Sequence, residues 1–270
     1  FKKDLEPLLI LYGVRHSYLT NKDNRMIDLR LGDCLEVMKT IKDNSIDAII
    51  CDLPYGTTQC KWDSVIDLSK LWSEYKRLLK NKGVVVLTAS QPFTSVLVNS
   101  NLSMFKYEWI WHKNKGGNPL NAKHQPMKQH ESILVFCNGK AKYNPIKEER
   151  YGQGKTRTKY KVQGGRFKDD KVYGKTDGII RNTKYNDLRY PQSVQFFEVE
   201  RGLHPTQKPV SLMEYLIKTH TDEGDLVLDN TMGSGSTMVA CKNTNRNGIG
   251  IEKEEKYFKI AQERINSTLF

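Results

Sequence analysis

Short apolar runs that read as strands alternate along most of this chain with segments whose apolar residues recur at three- and four-residue steps. The strand candidates are "IDLRLGD", "IDAIIC", "VVVLTAS", "FKYEWIWH", "ESILVFCN", "DLVLDN" and "GIGIE". They are rich in Val, Ile, Leu and aromatic residues and are bounded by turn formers. "CLEVMKTIKDNS", "IDLSKLWSEYKRLLKNKG", "PVSLMEYLIKTHT", "STMVACKNT" and "EKYFKIAQERINS" predict helices. In the second of these, Leu68, Leu71, Trp72, Tyr75, Leu78 and Leu79 form one stripe, with Gly83 as the expected stop. Pro209 stands near a helix start, where proline is tolerated. Trp109 and Trp111 fall in a strand-like run and are expected in the core. Strands and helices in alternation predict an α/β fold, with helices on the faces of a largely parallel sheet.

The alternation breaks once. From about Gly139 to Val199 the chain is rich in Lys, Arg, Gly and Tyr, as in "YGQGKTRTKYKVQGGRFKDDKVYGKTDG", and has no sustained apolar period. Apolar strands resume beyond it, so the economical fold is one sheet built from both ends of the chain with a basic insert hanging from it. The expected organisation is a poorly assigned extension over 1–25, a first half of the domain over 26–138, the insert over 139–199 and a second half over 200–270. A formal charge of +12 and a pI near 9.3 point to a polyanionic partner, nucleic acid first among them. Basic chain with interleaved aromatic residues suits phosphate contact and base stacking. The alternative is a solvated loop, which is compatible with ordering on a partner.

Five cysteines, Cys34, Cys51, Cys60, Cys137 and Cys241, form no CxxC pair. That excludes a sequence-evident disulfide frame or zinc site and leaves reduced thiols as the expectation. No apolar run reaches the ~18 residues that a membrane span requires, and "FKKDLEPLLILYGVRHSYLT" shows no secretory pattern. A cytoplasmic protein without membrane contact is expected.

Two turns carry chemistry. "DLPYGTT", Asp52 to Thr58, follows the apolar run "IDAIIC" and delivers a carboxylate to a strand's carboxyl end, the crevice side of an open α/β sheet. A strand cap followed by a proline turn is the plainer reading of those seven residues. "LDNTMGSGST", Leu228 to Thr237, is a strand end, a glycine turn and a helix start, where a ligand can approach backbone and free N–H groups. Glu252 ends the next strand, as the acid that grips ribose hydroxyls does in Rossmann-like sites. The turn lacks a P-loop lysine and the full GxGxxG pattern, which favours a ligand with a ribose but no phosphate. S-adenosyl-L-methionine is such a ligand.

"DLPYG" resembles the DPPY motif of amino-methylating DNA methyltransferases, "DNTMGSGST" resembles their cofactor loop, written DPFxGxGT, and "LHPTQKP" is similar to the HPTQKP element that precedes it. The order, catalytic motif, variable segment, cofactor loop, is that of the beta class. The resemblance spans about Met26 to Ile265, the insert matching only in position and character. It implies a Rossmann-like, S-adenosylmethionine-dependent sheet with permuted motif order and an inserted target-recognition region. Leu53 departs from the first proline of DPPY, and Asn230 and Met232 from the Pro and Phe of the cofactor loop.

The same resemblance implies the site. Asp52 and the Pro54 carbonyl would accept hydrogen bonds from an adenine amine, and Tyr55 would stack on the flipped base. Asp229, Asn230, Met232, Gly233, Ser234, Gly235, Ser236 and Thr237 would surround the cofactor, with Glu252 on its ribose. Asp33 and Cys34 would lie near its adenine, Asp52 near its methionine end, and His204, Thr206, Gln207 and Lys208 on its carboxylate side. Read alone, Asp33 is a helix N-cap and His204 a surface histidine. No metal is implied. Double-stranded DNA is the implied partner, with a homodimer and a cognate restriction endonuclease as further candidates. The expected activity is N6-adenine methylation, because relatives acting on cytosine N4 more often carry serine at the first motif position. Cytosine N4 is the nearest alternative, followed by an inactive DNA-binding relative and a small-molecule methyltransferase.

Overall fold

A computed structural model describes residues 26–56, 63–149 and 188–267, and the backbone alone over 15–20. One compact unit is drawn from Phe1–Asn144 and Ser193–Phe270, and a second is Pro145–Gln192. In chain order the first unit contains β1 (Arg15–Thr20), β2 (Met26–Leu31), α1 (Cys34–Met38), β3 (Ile46–Asp52), α2 (Leu68–Leu78), β4 (Leu79–Ala89), α3 (Phe93–Ser100), β5 (Phe105–Gly117) and β6 (Lys128–Cys137). The second unit contributes β7 (Glu148–Glu149) and β8 (Leu188–Arg189), an antiparallel pair closed by the Arg189–Glu148 ion pair at 3.3 Å. The first unit then resumes with β9 (Val194–Phe197), α4 (Val210–His220), β10 (Leu226–Asp229), α5 (Ser236–Asn243), β11 (Asn247–Glu252) and α6 (Glu255–Ser267).

Both ends of the chain build one sheet, in the order β1-β2-β11-β10-β3-β4-β6-β5-β9. The pairs from β2 through β4 are parallel, whereas β6 runs antiparallel to both β4 and β5. The central strands are apolar on both faces because helices cover both. Ile49 and Cys51 turn into a cluster with Met38, Leu71 and Tyr75, while Ala48 and Ile50 turn into another with Leu212, Met238 and Phe258. Trp109 and Trp111 are buried in the second cluster, as the sequence predicts, and Trp111 Nε1 donates to the Phe197 carbonyl at 2.9 Å. None of the described helices is long and apolar enough to cross a membrane.

Some boundaries differ from the sequence expectation. Helix α1 stops at Met38, where the Thr40 hydroxyl turns back to the Val37 carbonyl at 2.7 Å. Gly83 does not stop α2. The helix gives way at Leu79, which pairs with Ile46, and Gly83 lies within β4 beyond an irregularity that lets Val84 pair with Ala48. Helix α3 and strands β1 and β9 have no counterpart among the periodic segments. Strand β9 lies in the span assigned to the basic insert, yet it pairs in parallel with β5. The most basic part of that insert, 150–187, lies outside the described residues.

Strand β2 also carries a buried ion pair. Asp28 and Arg30, two residues apart, share one face, and Arg30 donates twice to Asp28 Oδ2 at 2.9 and 2.7 Å and once to Thr40 Oγ1 at 2.8 Å. Removing one partner of a buried pair strips the other of its countercharge. Arg30→Met is therefore expected to lower stability by about 3–5 kcal/mol, read as a fall in the urea midpoint at unchanged slope.

Candidate active site

Strand β10 feeds β11 on one side through α5, while β3 feeds β4 on the other through α2. Ligands of open α/β sheets sit at such a divergence, beyond the strands' carboxyl ends. Here it opens a cavity of about 330 Å³. Asp52, the last residue of β3, brings its carboxylate to the wall. Its Oδ1 accepts from the Tyr55 hydroxyl at 2.7 Å and from the Thr88 hydroxyl, and its Oδ2 accepts from Lys208 Nζ at 2.5 Å. Thr231 Oγ1 donates to the Asp52 backbone carbonyl at 3.0 Å, tying the two motif loops together. Tyr55 stacks on Phe93, with ring centroids 5.4 Å apart. Leu53, the departure from the family motif, turns into the apolar cluster on the α2 face.

Lys208 is 7% exposed and also lies 3.4 Å from Glu131 Oε2, while Glu131 in turn pairs with Lys113. Burial alone pulls the Lys208 ammonium down, but Asp52 and Glu131 outweigh it and leave the group above the ordinary lysine range. Burial pushes Glu131 up, and the two lysines reverse this and hold it below the usual carboxylate range. Glu131 and Thr88 escape the sequence reading. Each stands near one end of an apolar run, and Glu131 is the acid that opens "ESILVFCN".

The glycine turn forms the opposite wall. Gly233 has φ +54° and donates its N–H to Glu252 Oε2 at 2.9 Å, and Glu252 Oε1 accepts from Glu254 N at 2.8 Å. Gly235 has φ +80° and caps α5. A Cβ there would meet Ala261 Cβ at 3.0 Å, so this glycine permits close packing on α6 and does not line the cavity. Asn230 Oδ1 accepts from the Tyr75 hydroxyl at 2.6 Å and from the Cys51 thiol at 3.2 Å. Its Nδ2 makes no hydrogen bond of acceptable geometry, with only the weakly accepting Cys34 sulfur beside it. Asp229 is buried, and that burial pushes its carboxyl up to about 7 despite hydrogen bonds from Thr237 and the Thr231 N–H.

Around the rim, Asp33 caps α1 by accepting from Leu35 N at 3.0 Å, as its plainer reading predicts, and also faces the cavity. Burial pushes the Cys34 thiol up to about 11. His204 packs against Tyr257 at 4.2 Å and accepts from Thr206 N at 3.2 Å, and burial lowers its pKa. Gln207 Nε2 donates to Glu200 at 3.2 Å. Pro54, Met232, Ser234, Ser236 and Thr237 also border the cavity. Thr231, Tyr257 and Asp63 join it without a signal in the sequence reading, and Asp63 anchors the loop after the DLPY turn by accepting from Gly56 N at 2.9 Å. The Cys51 thiol is buried and held well above its ordinary pKa, unsuited to a thiolate nucleophile. Cys60 lies outside the described residues.

A doubly wound sheet with a carboxylate-lined crevice at its switch point defines a Rossmann-like methyltransferase. A profile of the DNA methylase family matches residues 46–263, and the chain belongs to that family. It is a site-specific DNA methyltransferase that uses S-adenosyl-L-methionine. Similar proteins include the Type II methyltransferase M.HpaI of Haemophilus parainfluenzae, 28% identical over 258 residues that span 91% of this chain and 75% of that one. The DNA adenine methyltransferase YhdJ of Escherichia coli (strain K12) is 27% identical over 258 residues, 87% of this chain and 81% of the other. Among solved structures, the M1.HpyAVI–SAM complex is 28% identical with a TM-score of 0.60, covering 88% of this chain and all of that one. The cytosine-N4-specific PvuII DNA methyltransferase, 14% identical with a TM-score of 0.61 over 90% of this chain and 91% of that one, shares the fold.

Proposed function

We propose that this enzyme methylates the N6 amine of an adenine flipped out of duplex DNA. The observation that carries the proposal is that the Asp52 carboxylate and the glycine turn ending in Thr237 face the same cavity. Adenine's exocyclic amine is a poor nucleophile because its lone pair is delocalised into the ring. Hydrogen bonds from that amine to Asp52 and to the Pro54 carbonyl would localise the pair, and fixed positioning would do much of the rest. The Lys208 ammonium now occupies Asp52 Oδ2, and with Glu131 close by it can yield that oxygen to the amine without losing a carboxylate partner. The acid at the head of "DLPY" and the relative named a DNA adenine methyltransferase support adenine over cytosine.

The residues present fit S-adenosylmethionine. Bound there, it supplies an electrophilic methyl on a sulfonium, and Asp52, Asp229 and Glu252 line a cavity suited to a cation. Asn230 Nδ2 offers a buried donor whose neighbour is the weakly accepting Cys34 sulfur. Glu252, at the end of β11, would hold the ribose, while Asp33 and Cys34 would border the adenine. His204, Thr206, Gln207 and Lys208 would lie on the carboxylate side, and Tyr55 would turn a ring face to the target base. The basic insert is assigned to target recognition. The Type II names of the relatives support a cognate restriction endonuclease, and a homodimer belongs to the same reading.

Asp229 gives this site a pH signature. Its folded value of about 7 exceeds its ordinary 3.8, so the native state keeps a proton that the unfolded chain has lost. That contribution to stability is full below 3.8 and is lost as pH rises through about 7. A cationic ligand favours the ionised carboxylate, so cofactor affinity is expected to rise through about 7 with release of a proton. Calorimetry in buffers of different ionisation enthalpy reads that proton, and Asp229→Asn should abolish it. An unchanged proton count in Asp229→Asn would remove Asp229 from the account.

The proposal is tested by expressing the protein in a host without DNA methylation and mapping modified bases along its genome. N6-methyladenine within one recurring sequence is the expected result. N4-methylcytosine there would overturn the base assignment.

A further inference from the structure

The hairpin joining β5 to β6 runs past the end of β4 on the catalytic edge, with β9 beside it only as far as Lys113. Strand β4 ends at Ala89, opposite Ser132, but the β5–β6 ladder continues through Trp111–Glu131 and His112–His130 to Gly117–Lys128. Its root is the site itself, because Glu131 pairs with Lys113 and with the Lys208 that holds Asp52. The three residues from Glu131 to Lys128 extend it by about 10 Å at the rise of a strand, before the turn that carries its tip. From Lys113 to His130 the sequence "KNKGGNPLNAKHQPMKQH" holds Lys113, Lys115, Lys123 and Lys128 and no acid. All residues from Asn118 to Met127 are exposed, and at the tip a single 3-10 turn, Pro119–Asn121, presents Leu120 at 93% exposure.

Leu120, at the end of a lysine-bearing arm, buries almost nothing within its own unit. Flipping a base out of a duplex leaves a gap between neighbouring base pairs, and unstacking is unfavourable unless an apolar group fills the space. Lys115 and Lys123 on the arm would face the phosphates on either side and fix its register. Resting on the reading that the target base is flipped out of DNA, we propose that this hairpin is a DNA-inserting arm with Leu120 as its wedge. The arm enters the duplex beside the target base, and the same strands that carry it carry the Glu131 end of the Lys208–Asp52 chain. The wedge and the Glu131 contact to Lys208 thereby share one hairpin.

The test compares wild-type enzyme with Leu120→Ala on the mapped recognition duplex and on the same duplex with the target base opposite an abasic site. The second substrate has no base pair to open. On the intact duplex the variant should lose on the order of 10²-fold in kcat/KM. On the abasic duplex it should recover to within about threefold of wild type, because little flipping energy remains to be supplied. Cofactor affinity should be unchanged on either substrate. Lys115→Gln with Lys123→Gln should flatten the slope of log binding constant against log salt by about 0.9 for each phosphate no longer neutralised. Equal losses on both duplexes, or no loss on the intact one, would overturn the wedge while leaving the methyltransferase assignment standing. A wild-type protein that methylates no DNA would overturn that assignment and the wedge with it.

Discussion

Asp52→Ala is expected to lower kcat by about 10³-fold, the scale of removing a fixed electrostatic contact to the reacting group, while the cofactor dissociation constant rises far less, by about tenfold at most. The separation follows from the geometry. Asp52 stands at the end of β3, its carboxylate is the nearest acid to Lys208, and its position is fixed by Tyr55 and Thr88 hydroxyls. The glycine turn rests on other contacts, chiefly Glu252 to Gly233 at 2.9 Å and Thr231 N to Asp229 at 3.1 Å. On the proposed mechanism alanine would therefore remove the acceptor for the amine while leaving that turn in place. Asp52→Asn keeps an acceptor oxygen without the charge and should fall between the two. Single-turnover methyl transfer with saturating cofactor measures the chemical step, and equilibrium calorimetry measures binding. Near-normal turnover in Asp52→Ala would assign the chemistry elsewhere.

Glu252→Ala carries the second large effect, a rise of about 10²-fold in the cofactor dissociation constant. Each hydrogen bond from a ribose hydroxyl to a carboxylate contributes about 1.5–3 kcal/mol. The carboxylate also serves the protein, because its two oxygens accept the Gly233 and Glu254 N–H groups. Alanine would thus remove the proposed ribose contact and release the turn at once. Glu252→Gln keeps one acceptor and should restore part of the affinity. At saturating cofactor, kcat should stay within about fivefold of wild type, since the Asp52 carboxylate proposed to hold the amine is untouched. An unchanged dissociation constant in Glu252→Ala would remove this residue from the cofactor site.

Much of this site is legible in the sequence because its residues lie at strand ends, where short apolar runs stop abruptly in polar turns. "IDAIIC" before "DLPY" and "DLVLD" before "NTMGSGST" place Asp52 and Asp229 at neighbouring carboxyl ends once β3 and β10 are recognised as parallel partners. Other features depend on contacts remote in sequence. Lys208 meets Asp52 across 156 positions, and the Tyr75–Asn230 hydrogen bond spans 155. No local pattern announces either. Glu131 reads as part of an apolar strand, and only the antiparallel placement of β6 beside β4 brings it to Lys208. Gly83 misleads for a related reason. A glycine after a helical stripe reads as a stop, but pairing of Leu79 with Ile46 ends the helix earlier. Strand β9 is four residues long and alternates in burial, too short to stand out beside the basic segment that precedes it.

The most direct measurement is transfer of labelled methyl from S-adenosylmethionine to mixed-sequence duplex DNA, followed by digestion to nucleosides and mass analysis. Label in N6-methyladenine, absent when Asp52→Ala replaces the wild type, is the predicted result. Label in N4-methylcytosine would contradict the adenine assignment, and N6-methyladenine formed equally well by Asp52→Ala would contradict the mechanism.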